Sequence, residues 1–183
     1  MRRKWSFLIL LAVTAAAAYD NYLSAKQKLD LIEAERLRAG SRVRLTYPEL
    51  DAWAAHEAPD GVRNPRIQVT AAGVATGSAL IDFAKVRRAQ GQPPGWLMSK
   101  LLEGERPVRV TARIRSSGGT ATVDVQRVEI SGIVIDGGTL DFLIQNLLLP
   151  VYPNAAVGRP FELGHRIESL EVIPAAVSVN IGK

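Results

Sequence analysis

The stretch Leu140 to Leu149 reads L-D-F-L-I-Q-N-L-L-L and decides the fold that the sequence predicts. At helical spacing its apolar residues cover most of the circumference, and only Asp141 and Gln145 share a narrow polar face. Such a helix has to be enclosed by other elements of the chain. Asp136-Gly137-Gly138-Thr139 marks its start, and Pro150 ends it.

Alternating apolar and polar residues on both sides of this helix predict antiparallel strands. The clearest hairpin joins Val108–Ile114 to Ala121–Val125 through a turn at Ser117-Gly118-Gly119. Beyond it the alternation changes phase twice before Ile135, and each change predicts a bulge that bends the sheet.

Two further hairpins are predicted. The first runs from Arg66 through a turn at Ala72-Gly73 into a long second arm, Val74 to Val86, with Phe83 in the arm. The other runs from Ile167 to Ile181 with a turn at Pro174-Ala175. The predicted fold class is therefore α+β, with a curved antiparallel sheet of about six to seven strands wrapping the hydrophobic helix and an N-terminal hydrophobic and stalk helix before it.

The N-terminus combines a basic segment, Met1 to Lys4, with fifteen uncharged residues from Trp5 to Tyr19. This length is typical of a signal peptide, and Ala16-Ala17-Ala18 offers a cleavage site. The absence of Gly and Pro from Asp20 to Ala39 equally favours one long helix, an uncleaved signal anchor. Both interpretations place the rest of the chain in the periplasm or another extracytoplasmic space, tethered in the second case to the inner membrane by residues 5–19.

Charge and length set the domain organisation. Residues 1–40 carry seven Lys/Arg and four Asp/Glu, whereas residues 41–183 carry sixteen and fourteen. We therefore divide the chain into an N-terminal signal or anchor with its stalk helix, residues 1–40, and one α+β domain, residues 41–183. Because that domain is nearly neutral, the sequence predicts no nucleic-acid partner.

Catalytic and metal-binding patterns are not evident in the sequence. The chain contains no cysteine, and His56 and His165 lie far apart without a second ligand at metal-binding spacing. No hydrolase elbow, Walker loop or dinucleotide fingerprint occurs. We predict a protein that is not an enzyme and that has neither a metal nor a cofactor.

Two other segments have competing interpretations. Trp96-Leu97-Met98, near Arg87 and Lys100, fits the lip of a lipid cavity or a membrane contact, but such residues also cap the open end of a sheet. Arg109, Arg113 and Arg115 share one strand face, where they either bind an anion or, more simply, solvate the sheet opposite Asp124.

A local helix start stands at Thr46-Tyr47-Pro48-Glu49, which matches a capping box. Together with L-T-Y-P-E-L-D-A-W at Leu45 to Trp53, the closing segment I-E-S-L-E-V-I-P-A-A-V-S-V at Ile167 to Val179 resembles small exported bacterial proteins related to the tubular lipid-binding (TULIP) superfamily. Asp51 stands where those proteins usually have Asn, and Ala175-Ala176 where Gly is common. The resemblance implies a curved sheet around a helix, an apolar groove and lipid binding or transfer at the cell envelope.

Two functions follow as hypotheses. The first is a lipid-binding or lipid-transfer domain, and the residues expected to line its groove are Phe83, Trp96, Leu97, Leu140, Leu143, Ile144 and Leu147. The alternative is an accessory subunit of a membrane protein complex that docks through its N-terminal helix. The expected partners are accordingly a lipid or membrane surface, or such a complex.

Overall fold

The computed structural model describes residues 4–89, 91, 104–145 and 157–183. Its helices are α1 (Lys4–Glu33), α2 (Tyr47–Glu57), α3 (Phe83–Ala89) and α4 (Gly137–Leu143). Its strands are β1 (Arg42–Thr46), β2 (Val62–Ala71), β3 (Val74–Ile81), β4 (Arg106–Ser117), β5 (Thr120–Ile130), β6 (Ile133–Ile135), β7 (Phe161–Glu162), β8 (Ile167–Ile173) and β9 (Ala176–Ile181). The predicted helical piece at Trp96 to Leu102 lies outside the described residues.

The strands form two antiparallel sheets, which confirms the α+β class. The larger sheet has six strands in the order β2-β3-β4-β5-β6, with β7 also paired to β5. The smaller sheet has the order β1-β9-β8 and combines the first strand of the domain with the final hairpin. Both sheets are open over the residues that the structure describes.

The β4–β5 hairpin forms as its alternation predicts. Gly118 and Gly119 turn it with φ angles of 56° and 79°, which glycine adopts without steric cost. The first predicted bulge is confirmed, because the register changes where Thr111 pairs with Arg127 and Ala112 pairs with Val125. One extra residue on β5 restores the apolar phase on the same face.

The second predicted bulge is wrong, because the chain reverses there. Ser131 and Gly132 both have positive φ angles, 52° and 83°, and they turn β5 into β6. Two such angles in succession are those of a tight hairpin turn. The change of phase therefore marks a new strand rather than a bend in the old one.

The long arm Val74 to Val86 is also shorter than predicted. Strand β3 ends at Ile81, and Oδ1 of Asp82 accepts a hydrogen bond of 3.0 Å from the Lys85 amide, an N-terminal cap for α3. Phe83 is consequently the first residue of a helix and not a strand residue. The turn also needs Gly61, because a Cβ there would lie 2.9 Å from the Asp82 carbonyl oxygen.

A hydrophobic core lies between α1, α2 and the smaller sheet. It contains Ala25 and Ile32 of α1 with Leu45, Val179 and Ile181 of the strands, all at most 4 % exposed. Part of the segment that the sequence assigns to a stalk thus contributes to this core. Within the described part of the chain, no helix has the combined length and apolarity required to cross a membrane.

Candidate functional site

The strand register places apolar side chains on one face of the larger sheet. Residues that pair directly across antiparallel strands point to the same side, so each register row has a single face. The rows through Val108, Val110 and Ala112 contain only apolar residues and Gly77 on the neighbouring strands. We call this surface the apolar face, formed by Ile67, Val69, Ala75, Ala79, Val108, Val110, Ala112, Ile114, Ala121, Val123, Val125, Val128 and Ile130.

The opposite face of the sheet is polar and internally paired. Arg115 forms a 2.6 Å ion pair with Asp124, and Arg109 lies 3.8 Å from Glu129. The hydroxyls of Thr76 and Thr111 are 3.0 Å apart across two strands. These contacts agree with the simpler interpretation of the arginine stripe, a solvated sheet surface.

The apolar face is only partly covered. Ala121 and Val108 are buried, at 2 % and 8 % exposure, but the other apolar-face residues remain half-buried. In the described part, the main helix contacts to this sheet are those of α2 with β2 and α4 with β5, at its two sides. Considering the described residues alone, a contiguous apolar surface therefore stays accessible on the middle strands.

Strand β8 crosses one end of this face. The Ser116 hydroxyl, which lies on the apolar-face side of β4, is 2.8 Å from the Leu170 carbonyl oxygen and 2.6 Å from the Leu170 amide nitrogen. The Gly73 amide donates to the Val172 carbonyl at 2.9 Å, and Gly119 donates to Glu168 at 2.8 Å. Backbone and hydroxyl hydrogen bonds thus join the two sheets at the hairpin turns.

The other end of the face has a different chemistry. Arg106 pairs with Ile81, so its half-buried side chain falls on the apolar-face side of the sheet. Helix α3 follows Ile81 and carries Lys85, Arg87 and Arg88. The capping hydrogen bond from the Lys85 amide lowers the pKa of Asp82, although burial opposes this effect.

A cleft lies beside β5, against α4. Its volume is about 600 Å³, and its lining residues are Asp124, Val125, Asp141, Ile144, Gln145, Val157, Gly158 and Arg159.

Leu140 of α4 is 4 % exposed, as expected for a helix residue packed inward. Phe142 is 61 % exposed, so the expectation that this helix is enclosed on all its apolar sides is wrong at Phe142. A smaller cavity, of about 280 Å³, opens near Ala79 and Val108.

The structure brings together only some of the predicted groove residues. Leu140 and Ile144 lie at α4, whereas Phe83 is half-buried at the start of α3. Trp96, Leu97 and Leu147 lie outside the described residues, as does the Leu143 side chain. Sequence reasoning identified the alternating residues of β4 and β5 but did not assign them to the site, because alternation alone does not tell whether a second layer covers them.

Polar chemistry is sparse in the described residues. They contain no group of three or more His, Asp or Glu side chains placed to hold a metal ion. The His56 ring stacks on Tyr22 with the ring centroids 3.8 Å apart, and His56 itself is exposed. This histidine therefore lies at the surface of the α1–α2 pair.

The most elaborate polar network surrounds Glu49 and supports the fold. Its Oε1 accepts from Lys28 at 2.6 Å and from Ser24 at 2.5 Å, and its Oε2 accepts from the Thr46 amide at 2.8 Å. Burial raises the pKa of this carboxyl, but the hydrogen bonds from Lys28, Ser24 and Thr46 outweigh it and lower the pKa to about 2. The predicted capping residue thus reaches back to Thr46 and also binds α1.

No protein-family model matches the chain, and no significant match was found among curated protein sequences.

Proposed function

We propose that this protein binds a lipid outside the cytoplasm, with the acyl chain lying along the apolar face, and that it carries out no catalysis. The observation that carries the proposal is the half-exposed apolar surface on the middle strands of the larger sheet. Exposed contiguous apolar surfaces in folded proteins mark binding sites for apolar ligands, membranes or partners. The resemblance to exported lipid-binding proteins favours a lipid among these.

The dimensions of the face suit an acyl chain. Arg106 and Ser116 are ten positions apart on β4, which corresponds to about 33 Å of strand. A bilayer hydrocarbon core is about 30 Å thick across two leaflets, so the chains of one leaflet occupy about half that length. The face therefore accommodates an extended chain between its two ends.

The cleft at α4 supplies the second wall in this proposal. Ile144 and Val125 both line it, and a volume of about 600 Å³ is within the range of ligand-binding pockets. We propose that the helix predicted at Leu140 to Leu149 lies along the groove and that the sheet curves around it. The bulge on β5, opposite Thr111 and Ala112, supports this curvature, because bulges bend strands.

Blocking the face tests the proposal. Ala112→Trp would place a large ring on the apolar face, whereas Arg113→Trp would place the same ring on the opposite, exposed face. We expect native mass spectrometry of the full chain, exported and purified without detergent, to detect a lipid adduct in the wild type and in Arg113→Trp but not in Ala112→Trp. Melting curves must show that both variants fold. Absence of any lipid from the wild type, or equal lipid retention by both variants, would overturn the proposal.

Export is part of the same proposal. The described core begins at Tyr22, so cleavage after Ala18 would remove none of its residues. N-terminal sequencing of protein from the cell envelope will distinguish a mature chain starting near Tyr19 from an uncleaved anchor. Recovery of the protein in the cytoplasm would contradict export.

A second candidate function rests on α1. Tyr19 and Leu23 are 60 % and 45 % exposed, and their spacing places them on one side of the helix. This small apolar surface favours docking to a membrane protein complex. Replacing both residues with serine should abolish co-migration with such a complex in native gels, whereas lipid adducts should persist if the first proposal holds.

A further inference from the structure

The apolar face has one charged position among the paired residues of β2 to β5, and that position is Arg106. Its register partner Ile81 pairs in turn with Val62, so Arg106 occupies the outermost row of the face. A half-buried guanidinium is costly to desolvate unless anionic or other accepting groups bind it. Because it has several N–H donors, a guanidinium can hold an additional acceptor alongside a partner from its own chain.

The surroundings of Arg106 are also basic. The segments that meet at this end are residues 60–63, 81–89 and 104–106, which together contain five Lys/Arg and three Asp/Glu. Two of the three carboxylates already have cationic partners, since Glu105 lies 2.9 Å from Arg63 and Asp82 lies 3.6 Å from Lys85. The excess positive charge favours a negatively charged ligand group here.

At the opposite end of the face, the paired positions of β4 and β5 carry no charged residue on the apolar side. There the chain meets β8, where the Ser116 hydroxyl is already bonded to the Leu170 backbone and Ala121 is 2 % exposed. Among the paired strand positions the two ends therefore differ, because the end beside β8 is uncharged and the other end contains Arg106.

From this difference we infer that the lipid binds in one orientation and is anionic, with its acyl chain ends at β8 and its negatively charged headgroup at Arg106. The inference rests on the proposed lipid-binding function and adds the class of lipid and its direction. Charge-assisted hydrogen bonds to a phosphate are stronger than neutral ones, so headgroup charge should alter affinity.

Headgroup preference is the quantity to measure. Delipidated full-length protein is titrated with fluorescent phosphatidylglycerol and phosphatidylcholine that have identical acyl chains. We expect the wild type to bind the anionic lipid about tenfold more tightly than the neutral one. One charge-assisted contact at a partly exposed site gives an affinity difference of about this size. Arg106→Gln should bring the two affinities within about twofold, whereas Arg106→Lys should keep a clear preference.

The control is Arg113→Gln, which removes the same charge from the opposite face of the same strand and should leave the preference unchanged. Equal binding of both lipids by the wild type, or an unchanged preference in Arg106→Gln, would overturn the orientation inference while leaving lipid binding intact. Failure of the wild type to bind either lipid would overturn both. Circular dichroism of each variant separates loss of binding from loss of folding, and the comparison of the two lipids with the wild type still tests the inference if Arg106→Gln does not fold.

Discussion

The Nζ atom of Lys28 lies 2.6 Å from Oε1 of Glu49, and this ion pair fixes α1 to the first turn of α2. The Glu49 side chain is 7 % exposed and that of Lys28 is 32 % exposed, so the anion is buried while the cation keeps contact with solvent. Three elements meet at this carboxylate, because it also binds the Thr46 amide at the end of β1. The N-terminal helix is thus held by polar contacts as well as by Ala25 and Ile32.

Glu49 makes the stability of the fold sensitive to acid. Its folded-state pKa of about 2 is below the ordinary value of 4.5, so its contribution is complete above pH 4.5 and lost as the pH falls towards 2. The shift corresponds to about 3 kcal/mol. We expect urea unfolding at pH 2 to 6 to show this loss in the wild type and a flatter pH dependence in Glu49→Gln.

The control for this measurement is Asp30→Asn. Asp30 forms an exposed pair with Lys26 on the same helix, at 2.9 Å, and exposed pairs contribute little. The unfolding free energy of Asp30→Asn should therefore depend on pH as that of the wild type does. If Glu49→Gln loses as much stability on acidification as the wild type, other carboxylates control the acid response.

Asp51 joins α2 to the edge of the larger sheet. Its Oδ1 accepts a 2.6 Å hydrogen bond from the Ile67 amide, next to the register shift between Arg63 and Arg66 on β2. Asp51→Ala leaves this amide without its acceptor and should cost about 1–2 kcal/mol of unfolding free energy. Asp51→Asn keeps a carbonyl oxygen in place and should cost less than half as much. Equal losses in the two variants would show that charge, and not the acceptor, matters here.

Both aspartate and asparagine can offer a side-chain oxygen to the Ile67 amide. Chemical denaturation of Asp51→Ala and Asp51→Asn therefore measures the contribution of the acceptor separately from that of the charge.

Local sequence patterns predicted local structure well in this chain. The β4–β5 and β8–β9 hairpins follow from strict alternation and turn residues, and the α2 start follows from Thr46 and Glu49. The same reasoning failed at Asp82, where a capping aspartate interrupts an apolar run and starts a helix. Pattern alone favoured a longer strand because Ile81 and Phe83 keep the strand period.

Contacts between distant residues could not be predicted from one sequence. Ser24 and Lys28 meet Glu49 more than twenty positions away, and Ser116 meets Leu170 from 54 positions away. Each of these side chains is ordinary in its own segment, and only the tertiary arrangement places donor beside acceptor. Arg106 likewise lies in the sequence before the alternating residues that predict the hairpin, and only the strand register places it on the apolar face.

Gly61 is required for the approach of β2 to the start of α3. An added Cβ would lie 2.9 Å from each of the Asp82 carbonyl oxygen, Lys85 Cβ and the Val86 amide nitrogen, and its φ of 93° is unfavourable for other residues. We expect Gly61→Ala to destabilise the fold by about 3 kcal/mol or more, from overpacking together with backbone strain.

Gly40→Ala separates these two effects. Gly40 also has a positive φ, 77°, but a Cβ there would meet nothing within 4 Å. Gly40→Ala should lose only about 1 kcal/mol of unfolding free energy, which is the cost of a left-handed backbone for a residue other than glycine. Thermal unfolding of both variants measures the difference, and similar losses would mean that the contacts at Asp82 and Val86 relax without cost.

Ser116 determines whether β8 stays closed over the end of the apolar face. Ser116→Ala removes hydrogen bonds to both the amide and the carbonyl of Leu170 and should cost about 1–2 kcal/mol. Hydrogen exchange at the Leu170 amide should accelerate more than exchange at the core strand β9, because the loss is local to the contact between the sheets. Ser117→Ala is the matched control, since Ser117 is exposed and takes part in the turn through its backbone carbonyl. Uniform acceleration across both sheets in Ser116→Ala would mean instead that β8 and the larger sheet unfold as one unit, and that this end of the face opens only when the whole domain does.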